Sequence, residues 1–462
     1  MFAGLTLTLF CCLPNAQDPA DGQVVARFRN NGQEATVTAT DLALEMAFHL
    51  RRKDEGRAAC EQLVGARLVK LAAEQQHLTA SDEEARNEWL ELQRQLRGAG
   101  RSPKTEPIVR NSSEAELLAY FSVPVLLRKL VRAELAMKPS ENVGGEMMQL
   151  WLQEARKQRQ VVDDPELLPI GTAARIGTEP VSMLDLGLLL LRTSSEEQRD
   201  HFVRQVVVLQ ATESLALQLK LSVTPEELQR QLELRREDAA ADPRFQGLAF
   251  EQLLKAQGVT SAWLLQSRVF RAQALQQKIV QHNHPAALLQ AELQEHRDSV
   301  IDRVGPRRRL GVIFARALDE PNALVPRNFE AAVAHLQKAK ARLDKDPFDF
   351  VAAVESDDPA TKARGGDLGW FQRSDSSLPA NVISAAFAMQ KDRVSEPLRG
   401  RDGCYLVKVL AIDPEFSDAQ LLSRLRERYV LEVTPQILAS AEIRHLDGSL
   451  LGEEATAPEK NK

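Results

Sequence analysis

The sequence predicts a multidomain α+β protein: a long, mostly helical and internally duplicated region, then one small α/β domain, then a C-terminal helix. Three observations carry this reading. Leu, Ala, Glu, Gln and Arg dominate a 462-residue chain whose aromatic content is only 5%, a composition that favours helix. An ordered series of hairpin, capped helix and second helix occurs twice, with an offset of 144 between Asp41 and Asp185. Short β-branched runs bracket a glycine pair between Arg307 and Val409, as buried strands around a tight turn do.

The length exceeds one ordinary core and implies two to four domains. Basic and acidic residues number 59 and 65, for a net charge of −6. That balance gives no footprint for nucleic acid. There is no phosphate-binding loop, zinc motif or nucleophile elbow, so no cofactor is expected and no metal.

Residues 1–20 read as a leader. The apolar run Phe2 to Leu13 fits a secretory core and is too short to span a membrane. Ala16 and Ala20 are candidate cleavage points. The basic residues that usually precede such a run are missing, as in a mis-assigned or truncated start; the other reading is a disordered cytosolic N-terminus. No later segment reaches membrane-spanning length, so the mature protein is expected to be soluble. Of the four cysteines, Cys11 and Cys12 lie in the leader; Cys60 and Cys404 could form one bridge and have no metal-ligand spacing.

The first helical module spans 21–140. Val24 to Phe28 and Ala35 to Thr38 flank Asn30-Asn31-Gly32, a hairpin signal. Thr40 or Asp41 can cap the helix through Leu42 to Phe48. A second helix runs from Cys60 to Leu71, and Ser81-Asp82-Glu83-Glu84 is a capping-box start. A Gly/Pro/Ser-rich loop near Gly98 to Asn111 precedes a helix over roughly Ser113 to Met137.

The second module spans 160–282 and repeats this order. Ala174 to Ser182 matches the hairpin, Asp185-Leu186 matches Asp41-Leu42, and Thr212 to Leu228 matches the helix and capped restart around Leu68 to Ala85. The recurrence reads as an internal duplication. Gln281-His282-Asn283-His284-Pro285 then breaks the helix; its two histidines read as linker rather than ligands.

The α/β domain spans 304–413. A strand at Leu310-Gly311-Val312-Ile313-Phe314 is followed by a helix, then Gly365-Gly366-Asp367-Leu368-Gly369-Trp370-Phe371, a helix at Ile383 to Met389, Val394-Ser395-Glu396-Pro397-Leu398, and a last strand from Gly403 to Val409. The glycine pair asks for backbone freedom, and Gly369 suggests close packing of backbone and ring. Residues 414–462 read as a helix over Phe416 to Tyr429 and a polar tail, Glu453 to Lys462, without structure.

This ordered series resembles the parvulin-type peptidyl-prolyl cis-trans isomerases over about 105 residues. The two helical modules resemble the N-terminal chaperone region of SurA-like extracytoplasmic foldases, which carry a single copy. The resemblance implies a chaperone-like region before a parvulin-like domain, and unfolded or proline-containing polypeptide clients. It places Asp358, in Ser356-Asp357-Asp358, at the polar residue beside the rotating bond. It places Leu378 and Val382 at the lining of the proline pocket. Phe387 matches a mainly core position, and Trp370 and Phe371 follow the glycine motif as structural or client-contacting residues. The family's two histidines fall at Gly311 and Tyr405; His335 matches neither. Tyr405 can still donate a hydrogen bond, whereas Gly311 supplies no side chain. Three functions follow: an exported prolyl isomerase and chaperone, a non-catalytic peptide-binding chaperone, or a structural envelope protein.

Overall fold

Thr38 closes the first hairpin and starts the first helix. Its hydroxyl accepts from the Asp41 N–H at 3.1 Å, and the Asp41 carboxylate accepts from the Thr38 N–H at 3.3 Å, so two orphan donors are satisfied reciprocally. Ser182 and Asp185 repeat the box at 3.0 and 3.3 Å. The computed structural model describes residues 23–446, except 139–140, 242–244, 246 and 318–326. The expected leader and polar tail, with Cys11 and Cys12, lie outside the described residues. The chain forms two compact units: residues 1–279 with 434–462, and residues 280–433.

In the first unit, β1 (Val24–Asn30) and β2 (Gln33–Thr38) form an antiparallel hairpin, followed by helices Ala39–Leu50 and Asp54–Gln75. Asn31 and Gly32 turn it with φ of 49° and 81°, the left-handed pair that a tight hairpin needs. β3 (Thr172–Ile176) and β4 (Glu179–Ser182) repeat the hairpin before helices Met183–Thr193 and Glu196–Gln218.

The two stretches expected as successive modules share one core. Leu186 to Arg192 is buried without interruption, and a helix apolar all round must be enclosed. Its partner is the Ala39–Leu50 helix of the first stretch. A Cβ on Gly187 would fall 2.0 Å from the Ala43 carbonyl oxygen, so the helices touch backbone to backbone. Residues 43 and 187 stand at the 144 offset. The polar contacts are reciprocal too: Arg67 donates to Asp185 at 3.0 Å and Gln210 to Asp41 at 3.3 Å. Cys60 donates to the Ala173 carbonyl at 3.3 Å, and burial pushes its thiol pKa up to about 11. Cys60 and Cys404 are both buried free thiols, each packed in its own unit's core, so the bridge does not form.

In the second unit, β5 (Arg308–Arg316), β6 (Asp367–Phe371), β7 (Leu398–Arg399) and β8 (Gly403–Ile412) make an antiparallel sheet in the order β6-β5-β8-β7. Side chains alternate between its faces. Ile313, Ala315, Cys404 and Leu406 pack against helices Phe329–Arg342 and Phe348–Glu355. Leu310, Val312, Phe314, Tyr405, Val407 and Val409 face the Ala380–Ala388 helix. His284 stacks on Tyr429 with ring centroids 3.9 Å apart. The C-terminal helix runs over Asp418–Ser440, longer than its apolar pattern predicts. After it β9 (Arg444–His445) returns to the first unit and pairs with β1. A two-residue strand has no alternation to read, which is why the sequence did not reveal it. No described helix is long and apolar enough to cross a membrane.

Candidate functional site

The site is built from β5 and β8. Phe314 and Tyr405 are cross-strand partners, with ring centroids 4.9 Å apart. Tyr405 is half-buried. Its ring edge packs against Gly400, where a Cβ would come within 2.4 Å of Cε2. Leu368, Leu378, Met389 and Leu398 are partly buried members of the same apolar face.

The loop carrying Asp358 is stapled to β5. Asp357 N–H donates to the Phe314 carbonyl at 2.8 Å, Phe314 N–H to Ser356 Oγ at 3.1 Å, and Arg316 N–H to the Asp357 carboxylate at 2.9 Å. Ser356 is 1% exposed, so its hydroxyl acts as a built part of the strand edge. The sequence marked Ser356 only as a motif member.

Asp358 caps the short helix Pro359–Lys362. Its carboxylate accepts from Thr361 Oγ1 at 2.5 Å, Thr361 N–H at 3.2 Å and Ala360 N–H at 3.3 Å. The Thr361 hydroxyl bond, with these backbone donors, holds its pKa below the usual carboxylate value despite partial burial. Burial first, then the Asp402 and Asp358 carboxylates, raise the Tyr405 phenol pKa. Tyr405 therefore keeps its proton and remains a donor at neutral pH.

The glycine pair works as its composition suggests. Gly365 and Gly366 have φ of 62° and 85°. A Cβ on Gly366 would lie 2.8 Å from Ala352 Cβ and from the Val312 carbonyl. Gly369 differs: nothing lies within 4 Å of its Cβ position, and its φ of +94° is what favours glycine.

The remaining expected residues divide. Leu378 is half-buried on the shelf. Val382 is 0% exposed and forms the floor beneath it, presenting no surface to a client. Phe387 is 9% exposed, with the Arg308 and Arg373 guanidinium groups 5.2 and 5.4 Å from its ring. Trp370, on β6, pairs with Arg309 of β5 and stands on the face opposite Phe371; Arg307 lies 5.2 Å from its ring. Trp370 thus stands apart from Tyr405.

Gly311 lies on the other face of the sheet from Tyr405. Its Cβ direction meets Phe348 Cε1 at 2.7 Å, on the helix-covered face. A one-residue offset along a strand reverses the face, so Gly311 cannot stand opposite Tyr405. The β5 residue that does is Phe314, with Val312 one pair further along the same face, both apolar. His335 binds the Glu355 carbonyl at 3.0 Å, from a helix on the other side of the sheet.

This geometry, an apolar shelf on a four-stranded antiparallel sheet with a capped acidic loop at its edge, belongs to a domain that the family comparison describes as rotamase, a PPIC-type PPIase domain, matched over residues 320–411. Parts of the chain are similar to the PrsA and SurA foldases. It is 29% identical over 168 residues to the foldase protein PrsA of Halalkalibacterium halodurans, covering 35% of this chain and 44% of that protein. It is 30% identical over 110 residues to the chaperone SurA of Methylococcus capsulatus, covering 22% and 24%. The first curated PrsA relatives are spanned over only 44% and 60% of their length. A crystal structure of PrsA from Bacillus anthracis aligns over 52% of this chain and 93% of its own at 16% identity, with a TM-score of 0.25.

Proposed function

We propose that the chain is an extracytoplasmic folding factor whose second unit binds proline-containing segments and accelerates their isomerisation, while the helical unit holds unfolded clients. One observation carries the isomerase reading: Tyr405, a protonated donor, stands half-open on an apolar shelf of Phe314, Leu378, Met389 and Leu398. Isomerisation needs no nucleophile. The barrier to rotation, about 18–20 kcal/mol, falls when the proline ring is held in an apolar site and the twisted bond is preferred. The shelf supplies the apolar contact, the Tyr405 hydroxyl donates to the rotating amide, and the charged Asp358 shapes the field at the loop edge. Export is supported by the apolar run at Phe2 to Leu13 and by the kinship with SurA and PrsA.

The second reading is a peptide-binding unit without catalysis. It is favoured by the apolar Val312 and Phe314 on β5, where no imidazole faces Tyr405. The test is prolyl isomerisation of a short X-Pro peptide by the full chain, beside Tyr405→Phe and Asp358→Ala. A rate enhancement that falls about a hundredfold or more in Tyr405→Phe, the range for loss of a positioned donor, supports catalysis. No acceleration by the folded chain leaves the binding reading.

A further inference from the structure

The helical unit holds a cavity of about 400 Å³ that the prolyl site does not use. This lies within the range of about 300–1,000 Å³ typical of ligand pockets. Its walls come from both repeated stretches. Phe48 and Trp263 stack at 4.6 Å with an interplanar angle of 20°, and Trp263 Nε1 donates to the Phe48 carbonyl at 3.3 Å. Phe270 also lines it, with the Arg235 guanidinium 4.6 Å from its ring.

Two of the cations around these rings, Arg235 and Lys53, meet no carboxylate among the described residues, and a third is only weakly paired. Arg235 donates to the neutral Gln273 Oε1 at 2.5 Å and meets no carboxylate among the described residues. Lys53 donates to His49 Nε2 at 3.0 Å, and that ring accepts only when neutral. Burial and the neighbouring Lys53 and His201 lower the His49 pKa accordingly. Arg52 reaches Glu166 only at 4.0 Å. The one acid in the lining, Glu45, is buried against Gln205 at 2.7 Å, and its burial raises its pKa. Aromatic walls below cationic side chains select a ligand with an apolar body and negative charge beside it.

We propose that this cavity binds client segments in which an aromatic side chain is flanked by acidic residues: the ring enters between Trp263 and Phe270, and the carboxylates meet Arg235 and Lys53. The inference rests on the client-holding reading of the helical unit and is independent of the isomerase site.

The test uses the full chain and a short, blocked, dye-labelled, proline-free peptide with a central phenylalanine between two aspartates. Its counterpart carries lysines in place of the aspartates. The expected result by fluorescence anisotropy is about tenfold tighter binding of the acidic peptide, as for one attractive contact exchanged for a repulsive one. Arg235→Glu, at an exposed position, reverses that preference. Trp263→Ala weakens the acidic peptide by about tenfold or more, the scale of a buried aromatic anchor. Equal binding of both peptides, or indifference to Arg235→Glu, overturns the proposal; so does binding confined to a free aromatic acid such as indole-3-propionate. Binding of a chemically unfolded protein is measured in parallel. If it persists while the acidic preference is absent, the cavity proposal alone fails; if it too is absent, the client-holding reading fails with it. Prolyl isomerisation by Arg235→Glu should match the unsubstituted chain.

Discussion

Both faces of the four-stranded sheet are apolar, yet they are closed to different degrees. On one, Ile313, Ala315, Cys404 and Leu406 are all 0% exposed, sealed by two helices. On the other, Val312, Val407 and Val409 are equally buried, but Phe314, Tyr405, Leu378 and Leu398 remain part-open at the margin. The contrast teaches where stability and chemistry separate. A sealed face contributes to folding in proportion to the apolar area it hides. A part-open face gives up some of that contribution and gains contact area for a client.

Substitutions should therefore act differently on the two faces. The largest loss is expected on the sealed one. Leu336→Ala, at a 0% exposed site, should cost about 2–5 kcal/mol, read as a lower denaturant midpoint. A loss under about 1 kcal/mol would mean that the helix repacks and that this face is less closed than its burial indicates.

Gly366→Ala comes next: its φ is +85°, and its Cβ would press on Ala352 and the β5 carbonyl of Val312. A cost of about 1–3 kcal/mol is expected from the forced backbone. A thermal midpoint equal to the parent's would show that the glycine motif is not under strain.

Asp358→Ala tests whether the loop belongs to fold or to chemistry. Losing the cap should cost about 0.5–2 kcal/mol. The pH dependence has a fixed sign. The folded pKa of Asp358 is lowered, so its contribution is complete above the unfolded value and is lost as pH falls through the folded one. The variant should lack that part of the acid-side decline. An unchanged acid limb would sever Asp358 from folding.

The smallest stability effect, within about 0.5 kcal/mol, is expected for Tyr405→Phe. This change should appear in isomerisation instead. The pH–rate profile should carry no inflection near the histidine range of about 6.5, since none of the residues that form this face is an imidazole. An inflection there would place an imidazole in the reaction and contradict the shelf as described.

Local chemistry is legible in the amino-acid sequence itself. Ser81/Glu84 announces a helix start because a capping box closes within four residues; the cap read at Thr40 or Asp41 falls instead at Thr38, with Asp41 as its box partner. Gly365-Gly366 and the order of landmarks around them are readable for the same reason, and they carry the parvulin resemblance. Asp358 and Tyr405 follow from that order, and the loop and strand they occupy form as expected. Phe314 is visible as a strand residue but not as the ring opposite Tyr405.

Only tertiary structure decided the rest. Which β5 residue faces Tyr405 depends on register: side chains alternate with a period of two, and the pairing puts Phe314 beside Tyr405 and Gly311 on the other face. Whether Val382 was floor or surface depended on what packed over it. The union of the two repeated stretches through Ala43 and Gly187, and the addition of β9 to β1, join residues more than a hundred positions apart. Their sequence records that each helix and strand needs an apolar or hydrogen-bonding partner; the partner itself is chosen when all the surfaces compete in the folded chain.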